Sequence, residues 1–270
     1  MYRAKKFSRL KEIIKSYQSC LIAFSAGADS TFLLKSVALV LPKDNILAVT
    51  AVSQTYPEKE LKEARALAKS IGVRHKIIKT GELKDKRFSA NSQRRCYFCK
   101  NALFSQLQKL ARQEKLKFVL DASNISDKSD FRPGSAVLKK LKIKSPLQEA
   151  GLAKEDVRVL SKQLKLPTWN KPSSACLASR IPYNTHLTAS LLGRIDKAED
   201  YLKKFLRSGQ LRLRHHGDLC RIEVSENNFF DFLAQRKAIV DGLKKLGYNY
   251  ITLDLEGYRM GSFNQRIKNK

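Results

Sequence analysis

The sequence lacks several features that would each mark a particular class of protein. No apolar run approaches the roughly 20 residues of a membrane-spanning helix, and the first residues contain no apolar core of the kind found in secretory signals. We therefore expect a cytoplasmic protein without a membrane partner. Cysteines number only five, an odd count, so structural disulfides are not expected, and thiols that react or bind metal are favoured.

Acidic residues are also scarce, with 25 Asp and Glu against 53 Lys and Arg and a formal net charge of +28. Such a charge favours a polyanionic partner, either nucleic acid, an acidic membrane or a phosphorylated small molecule. The basic residues are spread over nearly the whole chain, without a basic tail or a low-complexity run. A solvated lysine-rich surface and a dedicated nucleic-acid face therefore remain equal alternatives.

Apolar strands alternate with helices over the first two thirds of the chain. Predicted strands span residues 20–24, 46–52, 73–78, 118–122 and 143–147. Predicted helices span residues 1–17, 31–40, 58–71, 97–115 and 154–166, and the polar residues 80–95 are expected to be mobile. This order predicts an α/β fold with a parallel sheet and right-handed crossovers.

The pattern changes after about residue 185. The predicted elements there are a helix over 187–206, strands over 211–216 and 219–224, a helix over 228–246 and a strand over 250–255. Such an order is typical of a small α+β unit. With the proline-containing stretch 167–184 as a linker, we predict a first domain at 1–185 and a second at 186–270.

One loop, residues 25–30 (Ser-Ala-Gly-Ala-Asp-Ser), lies between a predicted strand and a predicted helix. Small residues let the backbone approach a ligand, and the free N–H groups of a helix N-terminus attract anions. Ser25 and Ser30 add hydroxyl donors. The Walker-A pattern is absent from the chain. An ordinary strand-to-helix turn capped by Asp29 or Ser30 explains the loop equally well.

Three cysteines lie outside the predicted core. Cys96 and Cys99 form a CxxC preceded by two arginines, and Cys176 stands in a proline-flanked segment. Neighbouring arginines favour a thiolate, but a zinc site needs four ligands and there is no second CxxC. Three thiolates suit a [4Fe–4S] cluster with an open iron, a CxxC beside a separate reactive cysteine, or three spare thiols. Cys20 and Cys220 lie on apolar strands and are predicted to be core residues.

Charged side chains share faces of the C-terminal strands. Arg212 and Arg214 lie two positions apart on one predicted strand, as do Arg221 and Glu223 on the next, so each pair projects from one face. Arginine forks can bind phosphate with two parallel hydrogen bonds. An exposed strand face of alternating charge is an equal alternative.

Residues 25–30 resemble the SGGxDS pattern of the PP-loop ATP pyrophosphatases, which cleave ATP between its α and β phosphates and leave an adenylated substrate. The whole chain resembles one branch of that superfamily, the ATP-dependent sacrificial sulfur transferases of the LarE family, which make the nickel-pincer nucleotide cofactor. The further blocks that carry the resemblance are 95–100 (Arg-Cys-Tyr-Phe-Cys-Lys), 121–124 (Asp-Ala-Ser-Asn), 130–134 (Asp-Phe-Arg-Pro-Gly), 145–147 (Ser-Pro-Leu), 175–183 (Ala-Cys-Leu-Ala-Ser-Arg-Ile-Pro-Tyr) and 253–259 (Leu-Asp-Leu-Glu-Gly-Tyr-Arg). The departures are Ala26, Ala122, Ser126 and Asn184, where the family usually has Gly, Gly, Asp and Gly.

The resemblance implies a PP-loop domain like that of the adenine nucleotide α-hydrolases, followed by a smaller domain for substrate binding and oligomerisation. The implied substrate is a pyridinium mononucleotide with two carboxylates, one of which ATP and Mg²⁺ adenylate before a sulfur nucleophile displaces AMP to give a thiocarboxylate. The sulfur comes from Cys176 itself, which becomes dehydroalanine, or from sulfide on a [4Fe–4S] cluster. All three cysteines are present, which favours the cluster. A homo-oligomer, either a dimer or a hexamer, is also implied.

The same resemblance assigns roles to individual residues. Asp29 and Cys176 are the implied catalytic residues, and the ATP site comprises Ser25, Gly27, Asp29, Ser30 and Arg132. The implied ligands of the substrate phosphate are Arg212, Arg214 and Arg259. Those of the cluster are Cys96, Cys99 and Cys176. A divalent metal between subunits would be bound by Glu199, Glu223 and Asp231. His215 and His216 are predicted to be structural.

Two other functions fit part of the pattern. A PP-loop enzyme that thiolates tRNA would also use three cysteines and a charge of +28. It predicts an added RNA-binding module or zinc knuckles, which the sequence does not show, so nucleic acid is the less favoured partner. A nucleotide-binding regulatory protein is suggested by Ala26 alone.

Overall fold

The computed structural model describes residues 2–53, 58–129, 134–172 and 176–259. The chain forms two compact units, the first comprising Met1–Phe88 and Gln93–Ser174 and the second Ser89–Ser92 and Ala175–Lys270. Within the described ranges, no helix has the length and apolar character that crossing a bilayer requires.

The first unit contains a four-stranded parallel sheet with the strand order β3-β2-β1-β4. The strands are β1 Cys20–Ala23, β2 Ile46–Val52, β3 Arg74–Lys79 and β4 Phe118–Leu120. The predicted α/β class with a parallel sheet is confirmed. Because the strand order reverses between β1 and β4, a crevice is expected outside the carboxyl ends of these two strands, where open α/β sheets bind ligands.

Helices cover both faces of this sheet, which is why its central strand is a continuous apolar run. The helices of this part of the chain are α1 Tyr2–Tyr17, α2 Ala28–Ala38, α3 Glu58–Ile71, α4 Lys86–Ser89, α5 Arg95–Gln113, α6 Ser135–Lys140, α7 Pro146–Glu149 and α8 Lys154–Gln163. Successive residues of β1 enter opposite cores: Ile22 packs with Phe32 of α2, whereas Leu21 packs with Phe104 of α5.

One predicted strand of the first unit is wrong. Residues 143–147 do not form a strand; Lys144 makes one isolated bridge to Leu120, and α7 begins at Pro146. Proline cannot donate to a strand ladder, but it suits the first position of a helix. Residues 80–95, which the sequence predicts to be mobile, contain a 3₁₀ turn at Glu82–Lys84 and α4. The side chain of Phe88 in α4 is buried.

The second unit has a three-stranded sheet with the order β5-β6-β7. Its strands are β5 Leu211–His216, β6 Leu219–Val224 and β7 Tyr250–Leu253, and its helices are α9 Ala189–Leu202, α10 Phe229–Ala234 and α11 Arg236–Lys245. Strands β5 and β6 pair antiparallel as a hairpin, with Gly217 at φ +71° in its turn. The single helix predicted over 228–246 is two helices, which meet at Gln235.

Candidate functional site

The loop after β1 takes a backbone conformation that favours glycine. Ala26 has φ +57° and is fully buried. An L-residue in this left-handed region costs about 1–2 kcal/mol, which explains why glycine is usual at this position in the family that the sequence resembles. The chain nevertheless forms the loop with alanine, because the Ala26 side chain packs in the core below α2.

Helix α2 begins beside this loop without a side-chain cap. Its N-cap residue is Gly27, with extended backbone and no side-chain hydrogen bond, so the alternative in which Asp29 or Ser30 caps the helix is wrong. Ser25 Oγ lies 3.1 Å from Ser30 Oγ, and the Ser30 hydroxyl also lies 3.3 Å from Gly27 O. The first-turn amides of an uncapped helix, together with two hydroxyl groups, form a site suited to phosphate.

Asp29 lies at the switch point between β1 and β4. Asn124, which follows β4, donates from Nδ2 to Asp29 Oδ1 at 3.1 Å. Asn124 is itself fixed, because it is only 2% exposed and its Oδ1 accepts from the Ser126 amide at 3.0 Å. Asn124 therefore orients the Asp29 carboxylate, a role that its place in the block 121–124 does not reveal.

A second residue missed by the sequence analysis is Lys171. Its Nζ donates to Ala26 O at 3.0 Å and to Glu63 Oε2 on α3 at 2.8 Å. The ammonium group therefore lies directly against the loop at residues 25–30, and the Glu63 carboxylate partly offsets its charge. No local pattern indicates this, since Lys171 and Ala26 are separated by 145 positions.

The CxxC lies within the first turns of α5, which begins at Arg95, two residues before the predicted start. Cys96 is exposed and Cys99 is half-buried. Their i, i+3 spacing places both thiols on the same side of the helix. Cys96 and Cys99 belong to the first unit and Cys176 to the second. Within the described part of the chain, no three His, Cys, Asp or Glu side chains are grouped as metal ligands.

Two other cysteines are core residues, as predicted. Cys20 on β1 and Cys220 on β6 are fully buried. Burial raises the pKa of each thiol to about 12, so neither carries an appreciable fraction of thiolate at neutral pH. They are therefore unsuited to nucleophilic or metal-ligand roles.

Cys176 is exposed at the start of a 3₁₀ turn, Leu177–Arg180, in the second unit. Its carbonyl oxygen accepts from the Ser179 amide at 2.8 Å and from Arg180 Nη1 at 3.2 Å. The backbone at Cys176 is thus held while the thiol faces solvent, as a nucleophile or an external ligand requires.

The hairpin of the second unit has one charged face. Its register pairs Arg212 with Glu223 and Arg214 with Arg221. All four side chains therefore project from the same face of the hairpin, as the spacing within each strand predicts. The alternative of an exposed strand face is wrong, because Arg212 is 9% exposed and Arg214 is 5% exposed. Burial, together with the neighbouring Arg180, lowers the pKa of the Arg212 guanidinium.

Carboxylates partner several of these arginines. Arg214 donates to Glu223 Oε2 at 2.8 Å, and Arg221 donates to Glu223 Oε1 at 3.0 Å. Arg259 Nη1 lies 2.6 Å from Glu256, and its Nη2 lies 3.6 Å from Asp254. Arg214, Arg221 and Arg259 are therefore each paired with at least one carboxylate.

The remaining predicted site residues have the following positions. The three carboxylates predicted as metal ligands each form an ion pair with arginine: Glu199 with Arg180, Glu223 with Arg214 and Arg221, and Asp231 with Arg207. Arg132 lies outside the described residues. His215 is buried and lies edge-on to Tyr248 at 5.9 Å, whereas His216 is exposed.

No protein-family model matches the sequence, but three proteins match it over almost their full lengths. An uncharacterised protein of Synechocystis is 38% identical over 96% of this chain and 97% of its own length. The pyridinium-3,5-bisthiocarboxylic acid mononucleotide synthase of Lactiplantibacillus plantarum is 36% identical over 98% of this chain and 95% of its own length. An uncharacterised protein of Methanocaldococcus jannaschii is 27% identical over 94% of this chain and 98% of its own length.

Proposed function

This chain belongs to the LarE family of sulfur transferases, and we propose on that premise that it adenylates a carboxylate of a pyridinium dicarboxylate mononucleotide and converts it to a thiocarboxylate. Such a reaction is a step in nickel-pincer nucleotide biosynthesis. The observation that carries the proposal is the 36% sequence identity to the Lactiplantibacillus synthase, which extends over 98% of this chain. The loop at the switch point of the sheet supports the use of ATP.

The adenylation step uses the loop between β1 and α2. Ser25, Gly27 and Ser30 would hold the phosphates of ATP, because the uncapped helix N-terminus has amides for their oxygens. Asp29 supplies a carboxylate oxygen, which is the kind of ligand that Mg²⁺ binds alongside nucleotide phosphates. The substrate carboxylate attacks the α-phosphorus, the bond to the β-phosphate oxygen breaks, and pyrophosphate leaves. The product is an acyl adenylate, in which AMP is a much better leaving group than oxide.

The sulfur step uses the exposed Cys176. In the sacrificial version, its thiolate attacks the acyl carbon, AMP leaves and a thioester forms. Removal of the Cα proton of Cys176 then breaks the Cβ–Sγ bond, which leaves a thiocarboxylate on the substrate and dehydroalanine in the chain.

The cluster version involves Cys96, Cys99 and Cys176 together. Thiolates are the ligands that iron–sulfur clusters prefer, and the donor set of two exposed cysteines and one half-buried cysteine fits such a group chemically. A [4Fe–4S] cluster held by three cysteines would supply an open iron for exogenous sulfide. Because all three thiols are present, we favour this version.

The substrate phosphate would bind at the second unit, through the buried arginines of β5 and the arginine that follows β7. Arg212, Arg214 and Arg259 can offer planar forks to a phosphate. We also propose a homo-oligomer, either a dimer or a hexamer, in the cytoplasm, with Glu199, Glu223 and Asp231 as the weaker candidates for an intersubunit metal.

The test uses protein prepared without oxygen, incubated with ATP, Mg²⁺ and pyridinium-3,5-dicarboxylic acid mononucleotide. We expect substrate-dependent pyrophosphate release and a thiocarboxylate product. Two measurements separate the two versions. The iron and acid-labile sulfide content is determined for the wild type and for three single variants, Cys96→Ala, Cys99→Ala and Cys176→Ala. A cluster predicts that each variant loses iron and sulfur transfer together, whereas a sacrificed Cys176 predicts that the mass of the chain falls by one H₂S. Cys20→Ala and Cys220→Ala are the matched controls. An active, iron-free protein of unchanged mass would contradict both versions, and no thiocarboxylate under any condition would contradict the function.

Thiolation of tRNA is the second candidate, and the charge of +28 favours it. Binding of total tRNA at physiological salt separates the two functions. A tight complex would support the tRNA reaction, whereas binding that disappears between about 50 and 200 mM salt would indicate only non-specific phosphate contacts.

A further inference from the structure

A buried guanidinium connects Cys176 to the rest of the second unit. Arg180 ends the 3₁₀ turn that begins at Cys176, and it is 3% exposed. Its Nη1 donates to Cys176 O at 3.2 Å and to Ser179 Oγ at 3.1 Å. Its Nε and Nη2 donate to the two carboxylate oxygens of Glu199 on α9, both at 2.9 Å. One planar group therefore fixes the turn and the helix to each other.

The connection continues to the strand that carries the phosphate-site arginines. Glu199 Oε1 also accepts from the Leu213 amide at 3.0 Å, and Leu213 lies between Arg212 and Arg214 on β5. A second link runs from Arg214 Nη1 to Ser179 O at 3.0 Å. The turn with Cys176 and the strand with Arg212 are thus held together by two buried arginines and one carboxylate.

Such a buried ion pair adds little net stability over a well-packed apolar pair, since desolvation offsets the charge attraction. A guanidinium fork does, however, fix direction as well as distance, because its donors are coplanar and bind a carboxylate at two points. The position of the sulfur relative to the acyl carbon is where such precision matters. A displacement of about 1 Å from the reactive geometry lowers a rate by about 100-fold.

We propose that Arg180 is a positioning residue for sulfur transfer, which holds the backbone of Cys176 at a fixed place relative to the phosphate-binding strand β5. The proposed phosphate site and Cys176 are then held at a fixed distance from each other by one hydrogen-bond network, which runs through Glu199. This inference rests on the proposed function and adds a residue to which no role has been assigned. It applies equally to a sacrificed Cys176 and to a Cys176 that holds a cluster.

Arg180→Lys in the full-length protein tests the inference, because lysine keeps the charge but cannot bind Glu199 at two points and reach Cys176 O as well. We expect the single-turnover rate constant for thiocarboxylate formation to fall by about 100-fold. Pyrophosphate release and the KM for the mononucleotide should change by less than about 3-fold, because neither quantity depends on the position of the Cys176 sulfur. A general loss of folding would instead lower pyrophosphate release and sulfur transfer by the same factor and lower the melting temperature. The matched control is Arg74→Lys, in which the exposed Arg74–Glu114 pair of the first unit is altered.

Hydrogen exchange gives a readout that does not depend on activity. The Ser179 amide donates to Cys176 O, so its exchange should accelerate in Arg180→Lys while exchange in β1 and β2 stays unchanged. If Arg180→Lys does not fold, Ser179→Ala carries the test, because it removes the hydroxyl that accepts from Arg180 Nη1 and leaves the Arg180–Glu199 pair in place. A smaller loss, confined to the sulfur-transfer rate, is expected.

Wild-type sulfur transfer in Arg180→Lys, with unchanged exchange at Ser179, would overturn the inference and leave the proposed function standing. Losses of equal size in the rates of pyrophosphate release and sulfur transfer would also overturn it, because they indicate a structural role only. Absence of sulfur transfer in the wild-type protein would instead contradict the proposed function, and this inference with it.

Discussion

Asp29 is the residue on which the proposed adenylation depends most directly. The carboxylate accepts a hydrogen bond from Asn124 at the end of the proposed ATP loop. We predict that Asp29→Ala lowers substrate-dependent pyrophosphate release by at least about 100-fold, the usual effect of removing one electrostatic contributor from an active site. The fold should persist, because Asp29 is only half-buried. A pyrophosphate assay alongside circular dichroism checks both statements.

The control for this variant is Asp44→Ala, which removes an exposed carboxylate from the 3₁₀ turn at Lys43–Asn45. Its pyrophosphate release should equal that of the wild type. Wild-type rates in Asp29→Ala would remove Asp29 from the mechanism.

Ala26 poses a question of balance at the same scale. Replacement by glycine relieves about 1–2 kcal/mol of left-handed strain. It also removes a buried methyl group, which costs about 0.8 kcal/mol, and adds about 0.5–1 kcal/mol of backbone entropy to the unfolded state. Because these effects nearly cancel, we predict that Ala26→Gly changes the free energy of unfolding by less than about 1 kcal/mol.

Ala26→Val provides the contrast, since a β-branched residue is strongly disfavoured at φ +57° and has no room in a fully buried position. The free energy of unfolding should fall by more than about 2 kcal/mol. Urea unfolding of the two variants measures the difference, and equal stabilities would show that the left-handed conformation carries no strain here.

At the scale of secondary-structure elements, a polar contact joins β3 to β2 beside the end of β1. Thr50 Oγ1 donates to Phe24 O at 2.8 Å and lies 2.8 Å from His75 Nε2. Because the hydroxyl proton is used, His75 must donate from Nε2, as the neutral ring can. Burial, with a further effect of Arg65, lowers the pKa of His75 below its ordinary value.

A lowered histidine pKa in the folded state makes stability depend on pH in a definite direction. The contribution of His75 to the free energy of unfolding is fully present above its unfolded-state pKa of about 6.5. It is lost as pH falls through the lower pKa of the folded state. We therefore predict that the free energy of unfolding decreases between about pH 7 and about pH 5. Urea unfolding at a series of pH values measures it, and His75→Gln should reduce the slope.

His186→Gln is the matched control, because His186 is exposed on the second unit. It should leave the slope as in the wild type. A free energy of unfolding that stays constant or rises over this pH range would contradict the assignment.

Elements also show where local sequence signals end. The bounds of β2, α3, β5 and β6 were predicted to the residue, because a strong apolar period and residues such as Gly72, at φ +78°, mark their ends. Helix α2 starts three residues before its predicted start, at Ala28, since the small residues of the loop at 25–30 carry no helical pattern. The division of α10 from α11 at Gln235 likewise has no proline or glycine to mark it.

At the scale of the whole molecule, the proposed ATP loop belongs to one unit and the proposed substrate-phosphate arginines to the other. We predict that Arg212→Ala raises the KM for the mononucleotide by at least about 10-fold, in line with the loss of one charge-assisted hydrogen bond. The KM for ATP should change by less than about 2-fold, since the proposed ATP loop has no residue in the unit that contains Arg212. Steady-state kinetics with each ligand varied in turn measures both.

Lys237→Ala, on the exposed side of α11, is the matched control and should affect neither ligand. Equal losses for ATP and mononucleotide in Arg212→Ala would argue against a separate substrate-phosphate site.

The sequence alone determined the alternation of strands and helices, the loop at residues 25–30, the buried state of Cys20 and Cys220, and the family. Each depends on local composition, period or ordered motifs, which the chain carries before it folds. Tertiary structure alone decided that Lys171 contacts Ala26, that Asn124 orients Asp29 and that Arg180 joins Cys176 to Glu199. These are contacts between polar side chains on different elements. Their partners are selected by how the elements pack, and a polar residue in an irregular segment has no periodic pattern that identifies its partner in advance.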